Sequence, residues 1–121
     1  MGYPVTPDKI AGEPGSGKLL EIAAPARATI LSTTSAVTIG GGVAGDTLLR
    51  RIIIGTALAG TLTIAGFQDE TGAAKSLVLP IGTPAGSYEF GDVLNEKGAL
   101  TITLSSATDD DDVMVVWAEA Q

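Results

Sequence analysis

Ala99-Leu100-Thr101-Ile102-Thr103-Leu104 alternates apolar and small polar residues, with Leu100, Ile102 and Leu104 on one side and the threonines on the other. A period of two is the pattern of a strand with one buried face and one wet face. The same alternation recurs in Gly60-Thr61-Leu62-Thr63-Ile64. Working outward, Leu48–Gly55, Gly60–Gly66, Ser76–Ile81, Ala99–Ser105 and Val113–Ala118 read as strands, separated by segments rich in Gly, Pro and Asp. Upstream, Lys18–Ala24, Arg27–Ser32 and Ser35–Ile39 add three more. About eight strands at intervals near ten residues have the rhythm of a sandwich or jelly roll. The expected fold is all-β: an antiparallel β-sandwich, jelly-roll-like, over residues 18–121.

Finer expectations follow from the same pattern. Leu48–Gly55 is almost continuously apolar apart from Arg50 and Arg51, as befits a central strand. Strict alternation sends the two arginines to opposite faces. In the last strand Val113, Val115 and Trp117 face one way, and Met114, Val116 and Ala118 the other. Tyr88 and Phe90 share one face of a short extended segment at the sandwich edge. Asp69–Gly72 and Thr83–Gly86 read as turns, and Asp92–Gly98 as a loop whose Gly98 takes a positive φ. Asp109–Asp112 reads as a solvated turn before the final strand.

Residues 1–17 differ from the rest. They hold three of the six prolines, Pro4, Pro7 and Pro14, together with four glycines. Proline removes ladder donors and breaks helices, so this stretch reads as an extended or flexible N-terminal arm. Tyr3, Val5 and Ile10 give the arm apolar anchors.

Composition excludes several functions. The chain has no Cys and no His, which removes disulfides, thiolate nucleophiles, Cys/His zinc sites and Ser-His-Asp catalysis. With 14 acidic and 7 basic residues the net charge is −7, which disfavours a nucleic-acid partner. No apolar run approaches the roughly 18 residues of a membrane span, and Met1-Gly2-Tyr3-Pro4 lacks a signal-peptide pattern. The expectation is a soluble, unprocessed product of the cytoplasm.

Three motifs carry chemistry only in the right setting. Gly12-Glu13-Pro14-Gly15-Ser16-Gly17-Lys18 has the spacing of a Walker A loop, but Leu19 stands where the magnesium-ligating Ser or Thr belongs, and Pro25 cuts short any following helix. It reads as linker. The aspartate run 109–112 lacks the spacing of a calcium loop. Glu89, Asp92 and Glu96 offer paired carboxylates, without the aromatic platform that sugar cleavage uses. The reading is no enzyme, no catalytic residue, no cofactor and no metal.

The order of elements from Leu48 onward resembles a small family of tailed-bacteriophage virion proteins with a β-sandwich fold. The resemblance rests on Leu48–Gly55, Gly-Thr-Leu-Thr-Ile (60–64), the Asp69/Gly72 loop and Ser-Leu-Val-Leu-Pro (76–80). It continues through Pro-Ala-Gly-Ser-Tyr-Glu-Phe-Gly (84–91), Gly-Ala-Leu-Thr-Ile-Thr-Leu (98–104) and Val-Met-Val-Val-Trp (113–117). In that family such modules decorate or cement heads, or build tail and fibre parts. The resemblance implies a head decoration (cement) protein on the capsid exterior, made in the host cytoplasm. Its partner would be the major capsid protein, and closure at a three-fold site would make it a homotrimer. Tyr3, Val5 and Ile10 of the arm, with Val43 and Asp46 of the Gly40–Asp46 loop, are the expected partner contacts. The rival reading is a tail-fibre or carbohydrate-binding module, for which Tyr88 and Phe90 would be the exposed rings.

Overall fold

A computed structural model describes residues 25–120. They form eight strands: β1 (Arg27–Leu31), β2 (Val37–Ile39), β3 (Thr47–Ile54), β4 (Leu62–Gln68), β5 (Ala74–Leu79), β6 (Gly86–Leu94), β7 (Leu100–Leu104) and β8 (Val113–Glu119). One turn of 3-10 helix, Ala107–Asp109, precedes β8. Every pairing is antiparallel. One four-stranded sheet runs β1-β8-β3-β6 and the other β2-β7-β4-β5. Each connection crosses between the sheets except the β4–β5 hairpin, and this nesting is jelly-roll-like. The expected arm, with Tyr3, Val5 and Ile10, the Gly12–Lys18 loop and the strand Lys18–Ala24 all lie outside the described residues.

Alternation builds the core. Leu100, Ile102 and Leu104 of β7 meet Leu62 and Ile64 of β4, and opposite them stand Leu49, Ile52 and Ile54 of β3 with Val113 and Val115 of β8, all buried. Each such side chain contributes about 1.5–3 kcal/mol on leaving water. Trp117 closes the same cluster, its Nε1–H donating to Thr29 Oγ1 at 3.0 Å, with the Arg27 guanidinium 5.6 Å above the ring.

The ladder departs from strict alternation at three bulges. In β3, Leu49 and Ile52 are both fully buried although three positions apart, so Arg50 and Arg51 both lie on the outer surface rather than on opposite faces. The register slips there against both neighbours: against β8 Arg50 is the extra residue, whereas against β6 the excess lies in β6, where Phe90, Gly91 and Asp92 span the step that Arg50 alone spans in β3. Arg50 Nε donates to Asp92 Oδ1 at 2.9 Å, and Arg51 Nε lies 3.3 Å from Glu89 Oε1 as a charge contact. In β4 the bulge sits at Gly66, whose φ is 120°. A Cβ there would stand 2.7 Å from Ala99 O, so the close approach of β4 to the β6–β7 loop requires glycine.

Three further expectations need correction. Residues 86–94 form a full nine-residue edge strand, β6, where the sequence shows a short extended piece and a loop. The positive φ falls on Gly91 and Asp92, at 69° and 63°, and not on Gly98. Asp109 is not solvated. It is 3% exposed, and its carboxylate accepts the Ala59 and Gly60 N–H groups at 2.8 and 3.1 Å. That carboxylate ties the 3-10 turn to the β3–β4 loop and satisfies two backbone donors at once.

Candidate partner-binding surface

The β2–β3 loop carries Val43 and Asp46, and the structure gives them different roles. Val43 is 64% exposed at the loop tip. Asp46 turns inward. Its Oδ1 accepts from Thr47 Oγ1 at 2.7 Å and from Asn95 Nδ2 at 3.2 Å, and its Oδ2 from the Val43 N–H at 3.3 Å. These donors, Thr47 foremost and Asn95 after it, hold the Asp46 carboxyl below its usual pKa against the opposing effect of partial burial.

Asn95 is the centre of this network. It has no exposed surface. Its Oδ1 accepts the buried Thr47 N–H at 2.9 Å, while Nδ2 faces Val43 O at 3.0 Å and Gly98 O at 2.9 Å as well as Asp46. The backbone adds Gly45 N–H to Asn95 O at 2.9 Å and Ala120 N–H to Asp46 O at 3.0 Å. Gly40, at φ 81°, is required where the loop opens, because a Cβ would collide with Thr47 Oγ1. A loop of glycines is thus held in one shape by a buried amide and a carboxylate, with an apolar side chain at its tip.

The first described strand also begins at this end of the sandwich: Arg27 pairs with Trp117, which pairs with Leu49, and Ala120 meets Asp46. Topology places the β4–β5 and β6–β7 connections at the same end.

The other sequence candidates resolve as structural parts. Glu89 and Asp92 face Arg51 and Arg50, and Glu96 Oε1 accepts from Gln68 Nε2 at 2.8 Å. Tyr88 and Phe90 are half-buried against the core, and the Tyr88 hydroxyl donates to Pro84 O at 2.6 Å. Among the described residues no group of three or more acidic side chains converges on a possible metal position.

One surface has no counterpart in the sequence reading. Ile30, Ile53 and Met114, on the outer face of the β1-β8-β3-β6 sheet, floor a shallow concavity of about 200 Å³ rimmed by Asp111 and Asp112. It is smaller than the roughly 300–1,000 Å³ of ordinary small-molecule sites. The available signal was one apolar residue at an outward position of each of three adjacent strands, Ile30, Ile53 and Met114.

Compared with protein-family models, curated proteins and solved structures, the chain matches none of them.

Proposed function

We propose that this chain is a non-enzymatic structural protein that decorates a tailed-phage head, bridging subunits of the major capsid protein. The observation that carries the reading is the braced β2–β3 loop, which presents Val43 in a fixed conformation at one end of the sandwich. A loop ordered before binding loses little entropy on contact, which suits a clamp that must hold a shell. The carboxylates that would serve hydrolysis are occupied by Arg50, Arg51 and Gln68. The glycan-binding reading has less support, since both rings it needs pack against the core.

The test is co-sedimentation of the purified chain with undecorated heads. Val43→Lys should cut occupancy about tenfold or more while leaving the melting temperature within about 2 °C, since an exposed substitution typically changes stability by no more than ~0.5 kcal/mol. Failure of the unmodified chain to bind heads refutes the reading. Unchanged occupancy for Val43→Lys removes the loop from it.

A further inference from the structure

The β5 edge is unlike the rest of the surface. All six of its residues are exposed or nearly so, including Leu77 at 49% and Val78 at 55%, and Ile81 just beyond is 68% exposed. Leu77 pairs with Ile64, which is fully buried, so Leu77 points to the inner face of its sheet and is still half in water. The sandwich therefore gapes on this side. Among the described residues β5 is the last strand of its sheet, and no described strand pairs with its outer line of backbone N–H and C=O groups. An exposed apolar edge of this kind is a template for another strand.

Charge indicates what the occupant is. The chain carries −7 overall, yet Thr71 to Tyr88 contains no Asp or Glu, and its one charged residue, Lys75, lies 3.8 Å from Asp69. Two copies that repel elsewhere can meet here without opposing carboxylates. We propose that β5 pairs antiparallel with β5 of a second copy, related by a two-fold axis, to form one continuous eight-stranded sheet.

Geometry sets the register. Residues facing each other across an antiparallel pair share a face, so paired positions must have the same parity. Centring the axis on Leu77 places Leu77 against its own copy, Ser76 against Val78 and Lys75 against Leu79. Pro80, which has no N–H to give, then stays outside those pairs, and the two Lys75 side chains do not oppose one another. Centring on Val78 draws Pro80 into the ladder opposite Ser76. Centring on Ser76 leaves Leu77 facing Lys75. The contact is isologous and closes at two copies. It stands apart from the head-decoration reading, and it replaces three-fold closure as the solution state.

The test uses the full chain. Sedimentation equilibrium over a concentration series should give twice the monomer mass, and Leu77→Lys should return it to monomer with its melting temperature kept. The chain has no Cys, so a single engineered thiol reports the register. Leu77→Cys should cross-link to a dimer under mild oxidant, because paired Cα atoms lie about 4.5–5.5 Å apart. Val43→Cys, more exposed but distant from the edge, should cross-link at least tenfold more slowly. An unmodified chain that is monomeric or trimeric throughout overturns the proposal. So does a dimer indifferent to Leu77→Lys, or equal cross-linking of the two thiols.

Discussion

Asn95→Asp puts the loop network to its most direct test. The change replaces one NH2 by oxygen and leaves shape almost untouched. Oδ1 still accepts the Thr47 N–H at 2.9 Å. The three contacts of Nδ2, to Val43 O, Gly98 O and Asp46 Oδ1 at 3.0, 2.9 and 3.2 Å, become oxygen facing oxygen. Asn95 is fully buried, so water cannot replace the lost donor. Asp46 Oδ1 keeps Thr47 Oγ1 and Val43 O keeps the Asp46 N–H, so Gly98 O is the acceptor that loses its hydrogen bond. That loss costs about 1–3 kcal/mol, and a buried carboxylate set against three oxygens raises the total to about 3–4 kcal/mol at pH 7. For a domain of this size that is a fall in melting temperature of about 15–30 °C. The sign with pH follows from linkage. Burial, two carbonyls and the Asp46 carboxylate raise the folded pKa of the new carboxyl above its unfolded value of about 3.9. Below that value the group is protonated in both states and the ionisation penalty is absent; above it the penalty grows until the folded carboxyl also ionises. The gap to the unmodified chain, read by thermal circular dichroism, should therefore be widest near neutrality and narrow in acid. A melting temperature within 5 °C of the parent at pH 7, or a gap that does not change with pH, would refute the reasoning.

Three further outcomes are expected. Gly66→Ala should cost about 3 kcal/mol in urea denaturation, from a positive φ and a Cβ pressed on Ala99 O, whereas Gly72→Ala, also at positive φ but facing open space, should cost about 1 kcal/mol; equal losses would show that the close approach is unimportant. Asp109→Ala should cost about 3–5 kcal/mol and speed hydrogen exchange at the Ala59 and Gly60 amides, which lose their acceptor; an unchanged exchange rate would argue against the tie. The unmodified chain should be equally stable from about pH 5 to 8, because it has no His. Below about pH 4 it should weaken, since Asp46 and Asp69 have folded pKa values lowered chiefly by Thr47 and by Thr71, and their stabilisation disappears as pH falls through those values. Asp46→Asn should flatten part of that acid limb.

What could be read from the sequence follows from how each strand meets the core. β7 shows clean alternation because it turns one face wholly inward, and β8 does the same from Val113 to Trp117, so Leu100, Ile102, Leu104, Val113, Val115 and Trp117 were identifiable without coordinates, whereas the full burial of Ala118 next to Trp117 breaks the period and was not. β6 was not, because Gly86, Gly91 and Asp92 look like turn residues, and an edge strand with half-buried rings has no continuous apolar face. The outward placement of both arginines was hidden because a bulge shifts parity by one residue without altering composition. Val43 was legible as a tip flanked by glycines. Asn95 was not, since Leu-Asn-Glu-Lys-Gly reads as loop, and only the fold brings that amide to Thr47, 48 residues earlier. Asp109 was lost among four identical neighbours, of which it alone is buried.

The position of β8 has a consequence for synthesis. It lies between β1 and β3, so the last of these eight strands to be translated fills the middle of its sheet. Trp117 reaches back 88 residues to Thr29. While β8 is still inside the ribosome, β1 and β3 have no strand between them to pair with, and the apolar layer between the two sheets stays open on that side. Closure must therefore wait until that strand emerges. Its long-range contacts place the domain among slow folders, and a nascent chain stalled before Val113 should remain protease-sensitive throughout.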